Sequence, residues 1–194
     1  MKNTNEINEF EPHEKKYLLA LARESLEAAV YNKKMPQTDS LEPKYTQECG
    51  CFVTLTFLGR LRGCIGNIEP AGPLYESIMC NAVNAGMHDP RFPKVSASEL
   101  DHINIEISVL TAPKPLEFSS PQELLLKLKP CVHGVILKCG NHRSTFLPHV
   151  WEQLPDKITF LEHLSLKAGA GKDGWKSSEF WVYETVHFKE SLSR

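Results

Sequence analysis

Residues 102–110 alternate strictly between polar and apolar side chains. One face carries four β-branched residues, which are Ile103, Ile105, Ile107 and Val109. The other face carries His102, Asn104, Glu106 and Ser108. A period of two with one apolar face is typical of a half-buried strand in an antiparallel sheet. Glu106 lies in the middle of the polar face, where it is either a general base or a solvated carboxylate.

Two hairpins and several amphipathic helices accompany this strand. The predicted hairpins join residues 51–57 to 61–65 and residues 134–139 to 143–147. Helical spacing of apolar residues predicts helices over residues 13–32, 72–87, 124–128 and 157–168. Residues 179–188 are predicted to form one terminal strand. Because hairpins rule out a purely parallel sheet, the chain is predicted to be α+β, with an antiparallel or mixed sheet and flanking helices.

The hexapeptide Leu-Arg-Gly-Cys-Ile-Gly occupies residues 61–66, in the return strand of the first hairpin. Residues two apart in a strand share a face, so Arg62 is expected beside Cys64. A guanidinium near a thiol favours the thiolate, which is the nucleophilic form. Gly63 and Gly66 lack a Cβ atom and let a ligand or another backbone come close. Cys64 is therefore a candidate catalytic residue, and the other three are candidate binding residues.

A structural interpretation of Cys64 also follows from the sequence. Gly59 suits the first central position of a type II′ turn. Leu55 would then face Cys64, and Phe57 would face Arg62, across the hairpin. Cys64 would lie on an apolar face, where unpaired cysteines are often buried. The residues alone leave a packed Cys64 and a functional Cys64 both open.

A second polar motif, His-Asp-Pro-Arg-Phe-Pro, occupies residues 88–93. Arg91 has the geometry to grip a carboxylate or phosphate with two parallel hydrogen bonds. Alternatively, Asp89 accepts hydrogen bonds from the backbone of a local turn while Arg91 covers the surface. Asp89 and Arg91 join the candidate binding residues.

Composition limits the classes of function. A net charge of −2 with interspersed signs gives no strong signal for nucleic-acid or anionic-membrane binding. No apolar run is long enough to span a bilayer, and the polar residues 1–11 lack the core of a signal peptide. We therefore expect a cytoplasmic protein without a membrane span.

The six cysteines are expected to be free thiols, because a cytoplasmic chain seldom keeps disulfides. Their spacing does not form a zinc motif. His133, His142 and His149 also match no compact metal motif. We predict neither a metal site nor a cofactor from these residues.

The collinear motifs resemble those of the AMMECR domain family, whose prokaryotic members are called AmmeMemoRadiSam system protein A. The resemblance rests first on residues 52–55 and on the hexapeptide. Further matching stretches follow in order and are residues 21–24, 89–92, 107–110, 133–135, 147–150, 160–161 and 167–169, with Trp175 after them. The family usually has a glutamine at the position of His149 and a bulky apolar residue at that of Ala170.

The resemblance implies an α+β fold with a larger and a smaller subdomain and a cleft between them. It implies one domain over residues 13–188, preceded by a flexible tail over residues 1–12. It also implies that Arg62, Gly63, Cys64, Asp89 and Arg91 share a site. The family name further implies an association with a Memo-like protein and a radical S-adenosylmethionine protein in a shared pathway.

Two functions from different classes fit these observations. The first is a partner-binding or accessory module in that pathway, which we favour because the sequence offers no complete catalytic constellation. The alternative is a cysteine-dependent enzyme that uses Cys64 assisted by Arg62, acting in nucleic-acid or protein modification.

Overall fold

The computed structural model describes residues 9–38 and 41–191. The chain divides into two compact units. The first consists of the described residues of Met1–Thr111 and Val186–Arg194, and the second of Ala112–Thr185. Each contains a four-stranded antiparallel sheet and helices, which confirms the predicted α+β class.

The helices and strands agree closely with the sequence periodicity. The helices are α1 (Pro12–Val30), α2 (Leu74–Met87), α3 (Pro121–Lys127) and α4 (Lys157–Ala168). The strands are β1 (Cys51–Phe57), β2 (Arg60–Asn67), β3 (Ile103–Leu110), β4 (Lys114–Pro115), β5 (Gly134–Cys139), β6 (His142–Phe146), β7 (Glu179–Tyr183) and β8 (Thr185–Lys189). Short 3₁₀ helices span Ala97–His102, Pro148–Glu152 and Gly174–Ser177.

The first unit packs two helices on the inner face of a sheet with strand order β2-β1-β3-β8. The alternation in β1 and β3 points their apolar residues inward, and these are Cys51, Val53, Leu55, Ile103, Ile105, Ile107 and Val109. They meet buried residues of α1 and α2, among them Leu18, Ala22, Leu26, Ile78 and Ala82. The intervening polar residues of both strands lie on the opposite face, which we call the outer face.

The end of the expected N-terminal tail belongs to this core. Phe10 is only 1% exposed, and its ring lies 5.5 Å from that of Phe188. Glu11 and Glu14 form a capping box that begins α1 at Pro12. Burial of the apolar Phe10 ring beside the start of α1 is favourable. Residues 9–12 are therefore structured, unlike the predicted flexible tail. Residues 1–8 lie outside the described residues.

The second unit has strand order β4-β7-β5-β6. Its core contains Leu124 of α3, Val135 and Leu137 of β5, and Phe160 of α4. The Trp151 indole stacks on the Phe160 ring, with centroids 3.6 Å apart. Ser120 caps the start of α3, because its hydroxyl accepts a hydrogen bond from the backbone N–H of Glu123.

The prediction of one terminal strand over residues 179–188 is wrong. The segment forms two strands, β7 and β8, which belong to different sheets and are separated at Glu184. A period of two continues through both strands, so alternation alone does not reveal the break. In the part of the chain that the structure describes, every helix is too short or too polar to cross a membrane.

Candidate functional site

The turn that leads into the hexapeptide differs from the prediction. Phe57 pairs with Arg60, so the two central residues are Leu58 and Gly59. Both have positive φ angles, +49° and +79°, which is typical of a type I′ turn rather than type II′. The sequence argument reserved the left-handed conformation for glycine, whereas Leu58 also adopts it.

A β-bulge follows the turn and puts the side chains of Arg62 and Cys64 on different faces of the sheet. Thr56 pairs with Leu61 but Leu55 pairs with Gly63, so Arg62 is an extra residue in β2. Regular alternation is broken here, and the predicted facing pairs Leu55–Cys64 and Phe57–Arg62 are wrong. The argument that alternation places Arg62 beside Cys64 fails for the same reason.

Arg62 is buried and bound to a neighbouring loop of the first unit. Its Nε donates to Glu99 Oε1 at 2.7 Å, and its Nη2 donates to Glu99 Oε2 at 3.2 Å. Its Nη1 donates to the carbonyl oxygen of Pro93 at 2.9 Å. The hydrogen bonds from Arg62 lower the pKa of Glu99 to about 2, against the opposing effect of burial. Arg62 therefore anchors the loop to the strand.

Gly63 lies opposite Leu55 on the inner face, where helix α2 passes very close. A Cβ atom built on Gly63 would collide with the backbone carbonyl oxygen of Ala85. Gly66 lies on the outer face, where a Cβ atom would collide with the ring of Phe52 and the carbonyl oxygen of Cys51. Both glycines are thus required by protein packing.

The backbone of Cys64 is held by two side chains of the 88–93 motif. Strand β2 is an edge strand, so alternate backbone groups lack a partner strand. The N–H of Cys64 donates to Asp89 Oδ2 at 2.9 Å. Its carbonyl oxygen accepts from Arg91 Nη2 at 3.0 Å. Asp89 and Arg91 together take the place of the acceptor and donor of another strand.

Asp89 and Arg91 also bind each other. Arg91 Nε donates to Asp89 Oδ1 at 2.9 Å, and Nη2 donates to Oδ2 at 2.7 Å. The Asp89 side chain is 1% exposed, whereas that of Arg91 is 54% exposed. Hydrogen bonds from Arg91, and then from the Cys64 N–H, hold the pKa of Asp89 well below its usual range despite burial. We call the pair the edge clamp.

The Cys64 side chain lies half-buried on the outer face, not on the apolar face expected of a packed cysteine. The Thr54 hydroxyl donates to its sulfur at 3.2 Å. Thr54 is opposite Cys64 on one side and opposite Glu106 on the other. Glu106 Oε1 lies 3.0 Å from His187 Nε2 of β8. A thiol, a hydroxyl, a carboxylate and an imidazole thus form one row across four strands, which we call the outer-face row.

The structure places the six candidate catalytic and binding residues on two opposite sides of strand β2. Arg62 and Gly63 face the interior, while Cys64 and Gly66 contribute to the outer face. Asp89 and Arg91 join at the backbone of Cys64. Glu106 is neither isolated nor simply solvated, because His187 contacts it.

Three partners were missed by the sequence argument, and they are Thr54, Glu99 and His187. The Ser-x-x-Glu spacing of residues 96–99, which forms a capping box in the structure, was the available signal for an ordered Glu99. Thr54 and His187 carry no local signal, because they reach the site only through strand pairing. Among the residues that the structure describes, no group of three or more His, Cys, Asp or Glu is arranged to hold a metal ion.

Comparisons with known proteins agree with this architecture. The sequence profile of the AMMECR1 family matches residues 19–188. A protein of Methanosarcina mazei is 40% identical over 176 residues, which cover 88% of each chain. A protein of Nanoarchaeum equitans is 37% identical over 177 residues, which cover 89% of this chain and 98% of that one.

Among solved structures, the crystal structure of uncharacterized protein PH0010 from Pyrococcus horikoshii superposes with a TM-score of 0.78. Its sequence is 31% identical, and the match covers 91% of both chains. Because the family profile and these relatives each match most of its length, the chain belongs to the AMMECR1 family.

Proposed function

We propose that this chain is a binding module that receives a partner protein on the outer face of its first sheet, around Cys64. The observation that carries the proposal is that the charged groups near the thiol are bound to other protein groups. Arg62 is bound to Glu99 and Pro93, and Asp89 is bound to Arg91 and to the Cys64 backbone. These groups stabilise a surface and are not aimed at a substrate.

The spacing of the outer-face row supports binding over catalysis. Neighbouring strands lie about 4.8 Å apart, so β2 and β8 are separated by about 14 Å. A general base must come within hydrogen-bond reach of its nucleophile, about 3 Å. His187 contacts Glu106 instead, and Thr54 is the residue that contacts the sulfur. A row of half-exposed polar groups is suited to a polar protein contact.

The family resemblance suggests which partners to test. Its prokaryotic name associates such proteins with a Memo-like protein and a radical S-adenosylmethionine protein. We propose that one of these two proteins binds the outer face, in the cytoplasm. A preformed surface lowers the entropic cost of binding a partner, and the edge clamp and the Arg62–Glu99 pair hold this surface in place.

Co-purification with the two candidate partners tests this proposal. Tagged wild-type chain is expected to retain one of them, and Glu106→Lys is expected to lose it because the charge reverses in the middle of the row. Cys64→Ser keeps the shape and polarity of the surface and is expected to retain the partner. Glu24→Lys makes the same charge change on an exposed position of α1 and is the matched control.

Two results would overturn the proposal. Failure of the wild-type chain to retain either protein would reject the assigned partners. Equal retention by Glu106→Lys and Glu24→Lys would reject the outer face as the contact surface. Circular dichroism of each variant distinguishes loss of binding from loss of folding.

A cysteine-dependent enzyme is the second candidate. It is favoured by one observation, the half-buried position of Cys64 on a face that also carries an imidazole. Arg91 hydrogen-bonds to the Cys64 backbone, whereas the expected Arg62 is bound to Glu99 and Pro93. Loss of a measured activity in Cys64→Ser with unchanged partner retention would support this candidate.

A further inference from the structure

The turn of the first hairpin exposes apolar side chains at one end of the first sheet. Leu58 is 73% exposed, and Leu61, which begins the hexapeptide, is 48% exposed. Leu61 pairs with Thr56 of β1, so its side chain lies on the outer face, as that of Cys64 does. We call residues 58–61 the hairpin tip. The hairpin tip is thus continuous with the surface on which the partner is proposed to bind.

Leu58 adopts a backbone conformation that leucine rarely takes. Its φ angle is +49°, in the left-handed region. The first central position of a type I′ turn favours asparagine, aspartate or glycine, which reach a positive φ at low cost. Leucine at this position is unfavourable for folding on two counts, because its backbone is strained and its apolar side chain lies in water. Strained residues of this kind concentrate at binding sites.

The sheet behind the hairpin tip holds it in place. Phe57 pairs with Arg60 of β2 and with Ile103 of β3, so the strands remain paired up to the turn. The Phe57 ring is partly buried against the core and meets the His102 imidazole edge-on, with ring centroids 5.9 Å apart. Leu58 is therefore presented on a fixed backbone. Little backbone entropy is lost when a partner covers it.

Arg60 adds a cation between the two leucines. It is exposed, and among the residues that the structure describes no carboxylate forms an ion pair with it. By contrast, Arg23, Arg62 and Arg91 are each paired with a carboxylate. Arginine is enriched in protein contacts, where it pairs with carboxylates of the other chain. The hairpin tip is therefore complementary to a surface that is apolar in the middle and acidic at the edge.

We propose that the hairpin tip anchors the partner protein of the outer face, with Leu58 inserted into an apolar pocket of the partner that carries a carboxylate at its rim. Burial of Leu58 and Leu61 supplies affinity, and the pairing of Arg60 with the carboxylate supplies orientation. A second copy of this chain is disfavoured, because a two-fold contact between tips would oppose two Arg60 side chains. The inference rests on the proposed function and adds the chemistry of the partner's surface.

Calorimetric titration of the full chain with each candidate partner, the Memo-like protein and the radical S-adenosylmethionine protein, measures the contact. Leu58→Asn is expected to weaken binding of the partner roughly 10- to 100-fold, because burial of a leucine side chain is lost. The same variant is expected to unfold at an equal or higher urea concentration than wild type, because asparagine tolerates the positive φ. A variant that keeps its stability and loses binding does not act through misfolding.

Two matched controls lie in the second unit. Leu126→Asn makes the same substitution at a leucine of α3 that is 82% exposed, and it is expected to leave binding unchanged. Arg60→Glu is expected to weaken binding roughly tenfold or more, because it opposes the partner's carboxylate with a like charge. Lys129→Glu reverses a charge at an exposed position and is expected to have no effect on binding.

Three outcomes would overturn the inference, and they separate it from the proposed function. Equal binding by wild type and Leu58→Asn would reject the hairpin tip as the anchor, and loss of binding in Glu106→Lys would then leave the outer face as the contact surface. Binding of neither candidate partner to wild type would reject both the proposed function and the inference. A dimer of the chain alone in sedimentation equilibrium that Leu58→Asn abolishes would assign the hairpin tip to a second copy.

Discussion

At the scale of single residues, Arg62 shows how neighbours decide the role of a charged group. On its own, an arginine two positions from a cysteine suggests thiolate stabilisation. In the fold each of its three guanidinium nitrogens donates a hydrogen bond, two to the Glu99 carboxylate and one to the carbonyl oxygen of Pro93. An exposed ion pair contributes little to stability, but this arginine side chain is only 10% exposed. Removing either partner of such a pair leaves a buried charge without compensation.

The Arg62–Glu99 pair predicts a specific dependence of stability on pH. The folded pKa of Glu99, about 2, lies below its reference value of 4.5, so the pair stabilises the fold fully above pH 4.5. Protonation of Glu99 removes this contribution as the pH falls from 4.5 towards 2. Glu99→Gln is expected to lower the free energy of unfolding by about 2–3 kcal/mol near pH 7.

Urea unfolding of wild type and Glu99→Gln between pH 7 and pH 2 measures this difference. The difference in the free energy of unfolding between wild type and Glu99→Gln is expected to narrow below pH 4.5 and to vanish near pH 2. Glu24→Gln, at an exposed position, controls for loss of a carboxylate in general. A gap that stays constant across this pH range would show that Glu99 acts through packing instead.

Gly63 gives a second prediction at the residue scale. Gly63→Ala places a methyl group against the Ala85 carbonyl, and neither backbone can move without shifting β2 or α2. We expect a loss of about 2–3 kcal/mol in the free energy of unfolding. Gly59→Ala meets no neighbour and is strained only by its φ of +79°, so it should cost about 1 kcal/mol. Denaturant unfolding compares the two, and the reverse order would refute the packing argument.

At the scale of elements, the edge clamp explains why two separate motifs belong together. Strand β2 ends the first sheet, and an exposed edge invites pairing with another chain. Asp89 and Arg91 occupy the N–H and the carbonyl of Cys64, so that this part of the edge is closed. The clamp thereby positions Cys64 without touching its sulfur in any described hydrogen bond.

Hydrogen exchange tests the clamp. Asp89→Asn removes the negative charge but keeps an oxygen acceptor, whereas Asp89→Ala removes the acceptor. We expect amide exchange at Cys64 to accelerate strongly in Asp89→Ala and moderately in Asp89→Asn. The Ile107 amide, in the central strand β3, serves as the internal reference for global unfolding. Equal acceleration at Cys64 and Ile107 would mean that the variant unfolds globally and that the clamp has no local role.

The elements also show what a sequence can and cannot predict here. Periodicity predicted β3 and α4, because each depends on local spacing. It did not predict the bulge at Arg62, since a bulge depends on how β2 pairs with β1. The outer-face row was not predicted for the same reason, because it depends on the register of β2 on β1 and on the pairing of β1 with the distant strands β3 and β8.

At the scale of the whole molecule, the cysteines divide by burial. Burial raises the pKa values of Cys49 and Cys51 to about 12, so both thiols remain protonated and enclosed. Cys80 and Cys131 are exposed, and Cys64 and Cys139 are half-buried. All six are free thiols in the structure. Their order of modification therefore reports both the fold and the state of Cys64.

Alkylation kinetics followed residue by residue with mass spectrometry test the central claim, that the charged residues around Cys64 frame a binding surface and do not activate a nucleophile. At pH 7 we predict that Cys80 and Cys131 react first, Cys64 later, and Cys49 and Cys51 only on unfolding. The Arg91→Gln substitution is predicted not to slow the alkylation of Cys64. Reaction of Cys64 ahead of Cys80, at a rate that falls in Arg91→Gln, would contradict the account and identify an activated thiol.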